Sequence, residues 1–120
     1  MPTKSIATLR RKADKLYQQV YIQQKPYSVV SGEPTQVLHH FIPKSQSANL
    51  RYDKDNGVPL TNKEHCRHHL SGDPTIVAKV LEVNGQEWFD NLSKKRHVIC
   101  KMNKGYLKGI IEGLQNQLDL

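Results

Sequence analysis

Five of the six histidines of this chain fall in two short segments, and the fold has to bring these segments together if they share a function. His39 and His40 lie in an apolar run that predicts a strand from Gln36 to Ile42. The second segment lies in a predicted helix from Asn62 to Leu70, where His65 and His69 are four residues apart and share one face. Imidazole is the commonest protein metal ligand. Histidines concentrated in this way indicate metal-assisted chemistry on an anionic substrate.

Apolar residues at spacings of three and four predict helices at both ends of the chain. The first helix runs from about Ser5 to Gln24, and the last begins at about Lys104 with Asn103 as its cap. The elements predicted between them are a short strand around Gly57 to Leu60, a helix capped by Asp73 and begun by Pro74, and a short helix from Gln86 to Leu92. We therefore predict an α+β domain in which helices flank a small strand–loop–strand–helix unit.

Length and charge limit the function further. The chain has 120 residues, enough for one domain with a modest core, and 18 Lys and Arg against 11 Asp and Glu leave a net charge of +7. This surplus makes nucleic acid the first candidate partner and an acidic membrane surface the rival. The sequence has no apolar stretch of the ~18 residues needed to span a bilayer and no signal-peptide pattern, so we expect a cytoplasmic protein without a membrane partner. Cys66 and Cys100 are too few for a disulfide framework.

The order of the polar residues is similar to that of a known family. His39-His40 on a strand, Asn56 before a second strand, and His65 and His69 on the next helix resemble the HNH endonucleases, which have a ββα-metal fold. The resemblance implies one HNH endonuclease domain over residues 1–120. Residues 1–26 would form a basic N-terminal helix, residues 27–72 the ββα-metal core, and residues 73–120 a helical C-terminal part.

The resemblance also implies roles for these side chains. His39, His65 and His69 would hold one divalent metal ion, His40 would be the general base that takes a proton from water, and Asn56 would orient the His40 ring. We expect Mg²⁺ or Mn²⁺ to support activity. Zn²⁺ and Ni²⁺ stay open, since an all-imidazole site favours a transition metal.

Two neighbouring residues and the strand geometry leave further questions. His68 points off the face of His65 and His69, so we expect it to be exposed or to face phosphate, and we expect Cys66 to be a small packing residue. The sequence leaves open whether either joins the metal site. Adjacent strand residues point to opposite sides of the pleat, so we expect a bulge or local twist to bring His39 and His40 to one phosphate.

Flanking motifs are similar to those of the NinG (Rap) family of phage recombination endonucleases. These motifs are Lys12 to Tyr17, Leu50 to Asp53 with Asp55-Asn56, Leu70 to Asp73, and Gly85 to Glu87. This resemblance implies cleavage of branched DNA such as Holliday junctions by a phage-encoded enzyme in the cytoplasm of a bacterial host.

The chain lacks the cysteines that hold a structural zinc in many relatives of this kind. The resemblance places the first cysteine pair at Ser28 and Ser31 and the second at Thr61 and Glu64. An alignment shifted by two residues would place Cys66 at the fourth position. We predict no structural zinc, so that packing or a partner must supply its contribution to folding.

Basic residues are predicted to dock the DNA through its phosphates, which gives affinity without sequence reading. The predicted contacts are Arg10, Arg11, Lys12 and Lys15 on the first helix, and Lys44 and Arg51 in the loop between the two strands. The apolar stripe of the last helix is predicted to be either core or a homodimer seam, and the sequence leaves the oligomeric state open.

Other functions fit the same residues. A nonspecific or nicking HNH DNase, a DNA-binding module whose nuclease centre has decayed, and a metallohydrolase acting on RNA or another phosphoester all stay open. Decay is disfavoured because the histidines and Asn56 are all retained. The sequence disfavours a zinc protease, because the stretch from His65 to His69 lacks the glutamate of the His-Glu-x-x-His pattern.

Overall fold

A computed structural model describes residues 4–118, apart from the side chains at positions 70 and 71. Within this range five helices surround one two-stranded antiparallel sheet, which confirms the predicted α+β class. The elements are α1 (Ile6–Gln24), β1 (Val37–His40), a 3₁₀ turn (Lys54–Asn56), β2 (Gly57–Leu60), α2 (Asn62–Ser71), α3 (Pro74–Asn84), α4 (Gln86–Arg96) and α5 (Lys104–Leu118). None of the helices in the described range is long and apolar enough to cross a membrane.

Local signals place most helix ends where the sequence predicts them. The Asp73 side chain accepts a hydrogen bond from the Thr75 backbone N–H at the start of α3, and Asn103 does the same for Tyr106 at the start of α5. The exception is α4, which continues past the predicted end at Leu92 to Arg96. Its last turn is basic, and positive side chains favour the negative end of the helix dipole.

The terminal helices pack on each other and form the largest core. The apolar stripe of α1 buries Leu9, Ala13 and Leu16 in the same cluster as Leu107 and Ile111 of α5. The stripe of α5 is therefore covered by α1 of the same chain and is not the free seam on which the homodimer prediction relied. A homodimer through another surface stays a prediction.

The sheet is a regular pair of four-residue strands, with His39 opposite Val58 and His40 opposite Gly57. Its alternation places Leu38 in the core formed with α1, while Val37 packs with the separate core that contains Ile76 of α3. β1 thus lies between two cores. His40 faces the core formed with α1, and His39 faces the side on which α2 and α3 lie.

A hydrogen-bonded cluster anchors the start of α2 to the segment before β1. One carboxylate oxygen of buried Glu64 accepts from the Ser28 hydroxyl at 2.6 Å and from the Thr61 backbone N–H at 2.8 Å. The Glu64 backbone N–H donates to the Thr61 hydroxyl, and the Ser31 backbone N–H donates to the Ser28 hydroxyl. These are the four positions at which the resemblance places zinc cysteines, and here they meet through hydrogen bonds.

Candidate metal centre

The histidines of β1 and α2 meet at one place. One ring nitrogen from each of His39, His65 and His69 lies within 4.8 Å of the others. The ring centroids are 5.2 Å apart for His39 and His65, 5.5 Å for His39 and His69, and 4.4 Å for His65 and His69. The i, i+4 spacing on α2 therefore produces the shared face that the sequence predicts, and β1 brings the third ring to it.

The electrostatics of His39 and His65 favour the neutral form of each ring. Burial, followed by the neighbouring imidazoles, lowers the pKa of His39 to about 3. Burial and the charges of His69 and His68 also lower the pKa of His65. Metal ligation requires neutral imidazole, so the lowered pKa values leave His39 and His65 able to ligate a metal ion at neutral pH. The donor set fits a divalent ion, and its softness favours a transition metal over Mg²⁺.

His40 is held differently, on the other side of the strand. Its Nε2 lies 2.8 Å from the backbone carbonyl oxygen of Arg51. A carbonyl only accepts hydrogen bonds, so Nε2 carries the proton and Nδ1 of the neutral ring is the proton acceptor. The ring also stacks on Tyr17 of α1, with centroids 5.2 Å apart and planes at 21°. These two contacts orient the ring and leave Nδ1 as its proton acceptor.

The charge state of His40 follows from its surroundings. Burial lowers its pKa below the ordinary 6.5, the hydrogen bond to the Arg51 carbonyl acts in the opposite direction, and the nearby cations of Lys44 and Arg51 lower it further. The ring is therefore neutral at pH 7 and can accept a proton.

Of the bulge or local twist expected in β1, the bulge is wrong. The strand pairs in regular register, yet His39, His40, His65 and His69 border one cleft together with Lys44. β1 has a strand partner on one side only, so side chains from both of its faces reach the cleft along its other edge. The side-chain amide of Gln18 pairs with the backbone of that edge. It donates to the Leu38 carbonyl at 3.0 Å and accepts from the Leu38 N–H at 2.8 Å.

Asn56 supports the site indirectly, through the backbone of the loop next to Arg51. Its fully buried amide accepts from the Ile42 N–H at 2.8 Å and donates to the carbonyls of Ile42 and Leu50 at 3.0 and 3.2 Å. The expectation that Asn56 holds the His40 ring is wrong in this geometry, because the Arg51 carbonyl has that place. Asn56 instead closes the loop that runs from Ile42 to Leu50, next to Arg51.

The surroundings of His68 differ from those that the sequence predicts. Its ring lies 4.7 Å from that of His39, centroid to centroid, and it borders an apolar pocket with Ile76 and Val80 of α3. Its Nδ1 is buried, and no hydrogen-bond partner for it occurs among the described residues. His68 is half-buried, so the expectation that it is exposed is wrong, because α3 packs over this side of α2. A contact between His68 and phosphate stays a prediction.

The surroundings of two other side chains, Cys66 and Arg51, differ from those expected. Cys66 is exposed on α2, so the expectation that it packs in the core is wrong. Arg51 is half-buried, and its guanidinium is paired with Asp14, 2.7 Å away.

The remaining predicted DNA contacts lie on the surface or near it. Lys44 is exposed at the rim of the histidine cleft. The predicted contacts on α1 are exposed at Arg11, Lys12 and Lys15 and half-buried at Arg10. DNA contact by any of these residues stays a prediction.

Comparisons of the chain with models of known families, with curated proteins and with solved structures find no match. The function has to be inferred from the residues of the cleft themselves.

Proposed function

We propose that this protein is a metal-dependent endonuclease of the HNH type, in which β1, β2 and α2 form a ββα-metal core. The observation that carries the proposal is the set of three imidazoles, from His39, His65 and His69, whose ring nitrogens lie together beside a fourth imidazole, His40, with an oriented proton acceptor. Its substrate would be DNA, and we propose branched DNA such as a Holliday junction, cut during phage recombination.

The chemistry assigns a task to each group. Hydrolysis of a phosphodiester needs a deprotonated water and neutralisation of the charge that builds on phosphate. His39, His65 and His69 would hold a divalent ion, which supplies charge neutralisation at the phosphate and leaving oxygen. His40 accepts the proton of the attacking water at Nδ1, while Nε2–H stays bonded to the Arg51 carbonyl. Lys44, exposed at the cleft, attracts the phosphate.

Two further observations support the proposal. The net charge of +7 suits a polyanionic substrate. The four positions at which the resemblance places zinc cysteines also lie together around Glu64, so they occupy one place in this fold as a zinc site would require.

The test is cleavage of a labelled four-way junction beside its linear duplex, with Mg²⁺, Mn²⁺, Zn²⁺ or Ni²⁺. His40→Ala should lower the rate by about 10²–10⁴-fold, the usual contribution of a general base, and leave DNA binding unchanged. His97→Ala is the matched control, because His97 is exposed and outside the cleft.

The outcomes separate the functions that the residues allow. Metal-dependent cutting of the junction alone, lost in His40→Ala, supports the endonuclease, the role of His40 and the preference for branched DNA. Equal cutting of both substrates supports a nonspecific or nicking DNase and overturns the branched-DNA part. Tight DNA binding without cutting by any metal indicates a decayed binding module, and cutting of RNA alone indicates a different hydrolase.

A further inference from the structure

Asp14 and Arg51 form a two-pronged ion pair beside the candidate base. The Arg51 guanidinium donates from Nε to one Asp14 carboxylate oxygen at 3.0 Å and from Nη2 to the other at 2.7 Å. The two side chains are only 32% and 17% exposed, in the order Asp14 and Arg51. Paired parallel hydrogen bonds of this kind fix the plane of the guanidinium as well as its position.

Arg51 is also the residue whose backbone carbonyl receives the hydrogen bond from His40. It lies in the irregular stretch between β1 and the 3₁₀ turn, where the chain has no sheet or helix ladder to hold a carbonyl in place. Asp14 belongs to α1, which is packed into the largest core. The ion pair therefore ties the loop carbonyl to a rigid helix.

Tyr17, one turn after Asp14 on α1, contacts the same base directly by stacking on the His40 ring. Its hydroxyl donates to the Asp53 carbonyl at 2.9 Å, two residues after Arg51. α1 thus contacts the His40 ring through Tyr17. It also binds the loop that holds this ring at two points, through Asp14 to Arg51 and through the Tyr17 hydroxyl to the Asp53 carbonyl.

We infer that Asp14 is a positioning residue for His40, which it acts on through Arg51, and that Arg51 serves this role rather than binding DNA. The inference rests on the proposed endonuclease function.

The two roles for Arg51 predict opposite results for Asp14→Asn. If Arg51 binds DNA phosphates, removal of the Asp14 charge frees a cation and tightens DNA binding. If the pair positions His40, the variant cleaves more slowly at saturating protein and binds DNA as the wild type does.

The experiment measures single-turnover cleavage with protein in excess, and the DNA dissociation constant without metal, for Asp14→Asn, Arg51→Asp and the double swap Asp14→Arg/Arg51→Asp. Displacing a catalytic group by about 1 Å can cost about 10²-fold in rate, so we expect each single variant to lose about 10- to 100-fold. The double swap should restore most of this loss. Glu82→Gln is the control, since it breaks the Lys79–Glu82 pair on α3, away from the cleft. Circular dichroism checks the fold, and Asp14→Ser, which also removes the charge, replaces Asp14→Asn if the latter unfolds.

A second readout does not depend on cleavage. Long-range ¹⁵N–¹H spectra of the His40 ring should show a single tautomer protonated at Nε2 in the wild type and a mixture in Asp14→Asn. A single Nε2 tautomer in both proteins would overturn the inference, as would tighter DNA binding with an unchanged rate. If the wild type cuts no nucleic acid, the proposed function fails, and the tautomer in Asp14→Asn still decides whether Asp14 positions His40.

Discussion

Glu64 offers a direct test of how this chain holds the histidine helix without zinc cysteines. The residue is 5% exposed, and one oxygen of its carboxylate accepts hydrogen bonds from Ser28 and from the Thr61 N–H. A hydrogen bond to a charged group contributes about 1.5–3 kcal/mol. Two bonds at the lower bound set the expected loss for Glu64→Ala at about 3 kcal/mol of unfolding free energy.

Glu64→Gln separates the charge from the shape. The amide oxygen can keep both bonds, but neutral bonds are about half as strong as charge-assisted ones. The position is also in the first turn of α2, where a negative charge is favoured by the helix dipole. We therefore expect this variant to lose about 1.5 kcal/mol, half the loss of the alanine variant.

The pH dependence has a defined sign. Burial acts to raise the pKa of Glu64, but hydrogen bonds from Ser28, Thr61 and Ser31 outweigh it and lower the pKa below the ordinary 4.5. A carboxyl whose pKa is depressed by folding stabilises the fold above its unfolded pKa and loses this effect as the pH falls through its folded pKa. The difference between wild type and Glu64→Gln should thus be constant near neutrality and shrink below about pH 4.

The assay is urea unfolding followed by the fluorescence of Trp88, which packs against Phe41. Excess chelator removes any contribution from bound metal. Glu112→Gln, exposed on α5, is the matched control and should stay within about 0.5 kcal/mol of wild type. Equal unfolding midpoints for Glu64→Gln and Glu112→Gln would refute the reasoning.

Three other substitutions test the rest of the site. His69→Ala should weaken Zn²⁺ or Ni²⁺ binding by more than the roughly 10-fold that losing a supporting partner of a ligand costs, whereas His97→Ala should not, as measured by calorimetry. Lys44→Ala should lower the slope of log Kd for DNA against log salt by about one if Lys44 contacts a phosphate; an anisotropy titration with an unchanged slope would exclude that contact. A Cβ at Gly57 would lie 2.5 Å from the Tyr17 hydroxyl oxygen, so Gly57→Ala should cost about 1–3 kcal/mol in urea unfolding, and Tyr17→Phe in the same chain should recover part of that loss.

Features with a short-range signal could be predicted from the sequence. Helical spacing is enough to place His65 and His69 on one face, and Asp73-Pro74 is enough to begin α3. Their ring separation and the observed cap agree with this. Strand alternation likewise predicts that His39 and His40 face opposite sides of the sheet.

Features that depend on distant backbone could not be predicted. The partner of the His40 ring is a carbonyl eleven residues away, and a carbonyl is present at every residue, so it has no signature in the sequence. Asn56 looks like a ring partner in sequence because only its order along the chain is visible. The side of His68 depends on how α3 packs over α2, which is decided by tertiary contacts and not by its helical position.

β1 lies between two cores, and each core supports one of its two histidines. A two-stranded sheet of this length is marginally stable alone, so each face takes its geometry from the helices it contacts. Leu38 and His40 face α1, within or beside the core formed with α5, whereas Val37 and His39 face α2 and α3. His40, the proposed base, and His39, the proposed metal ligand of the strand, are adjacent in sequence but supported by different parts of the fold. Substitutions in α1 should therefore alter the orientation of His40 with little change in metal affinity, and substitutions in α3 should do the reverse.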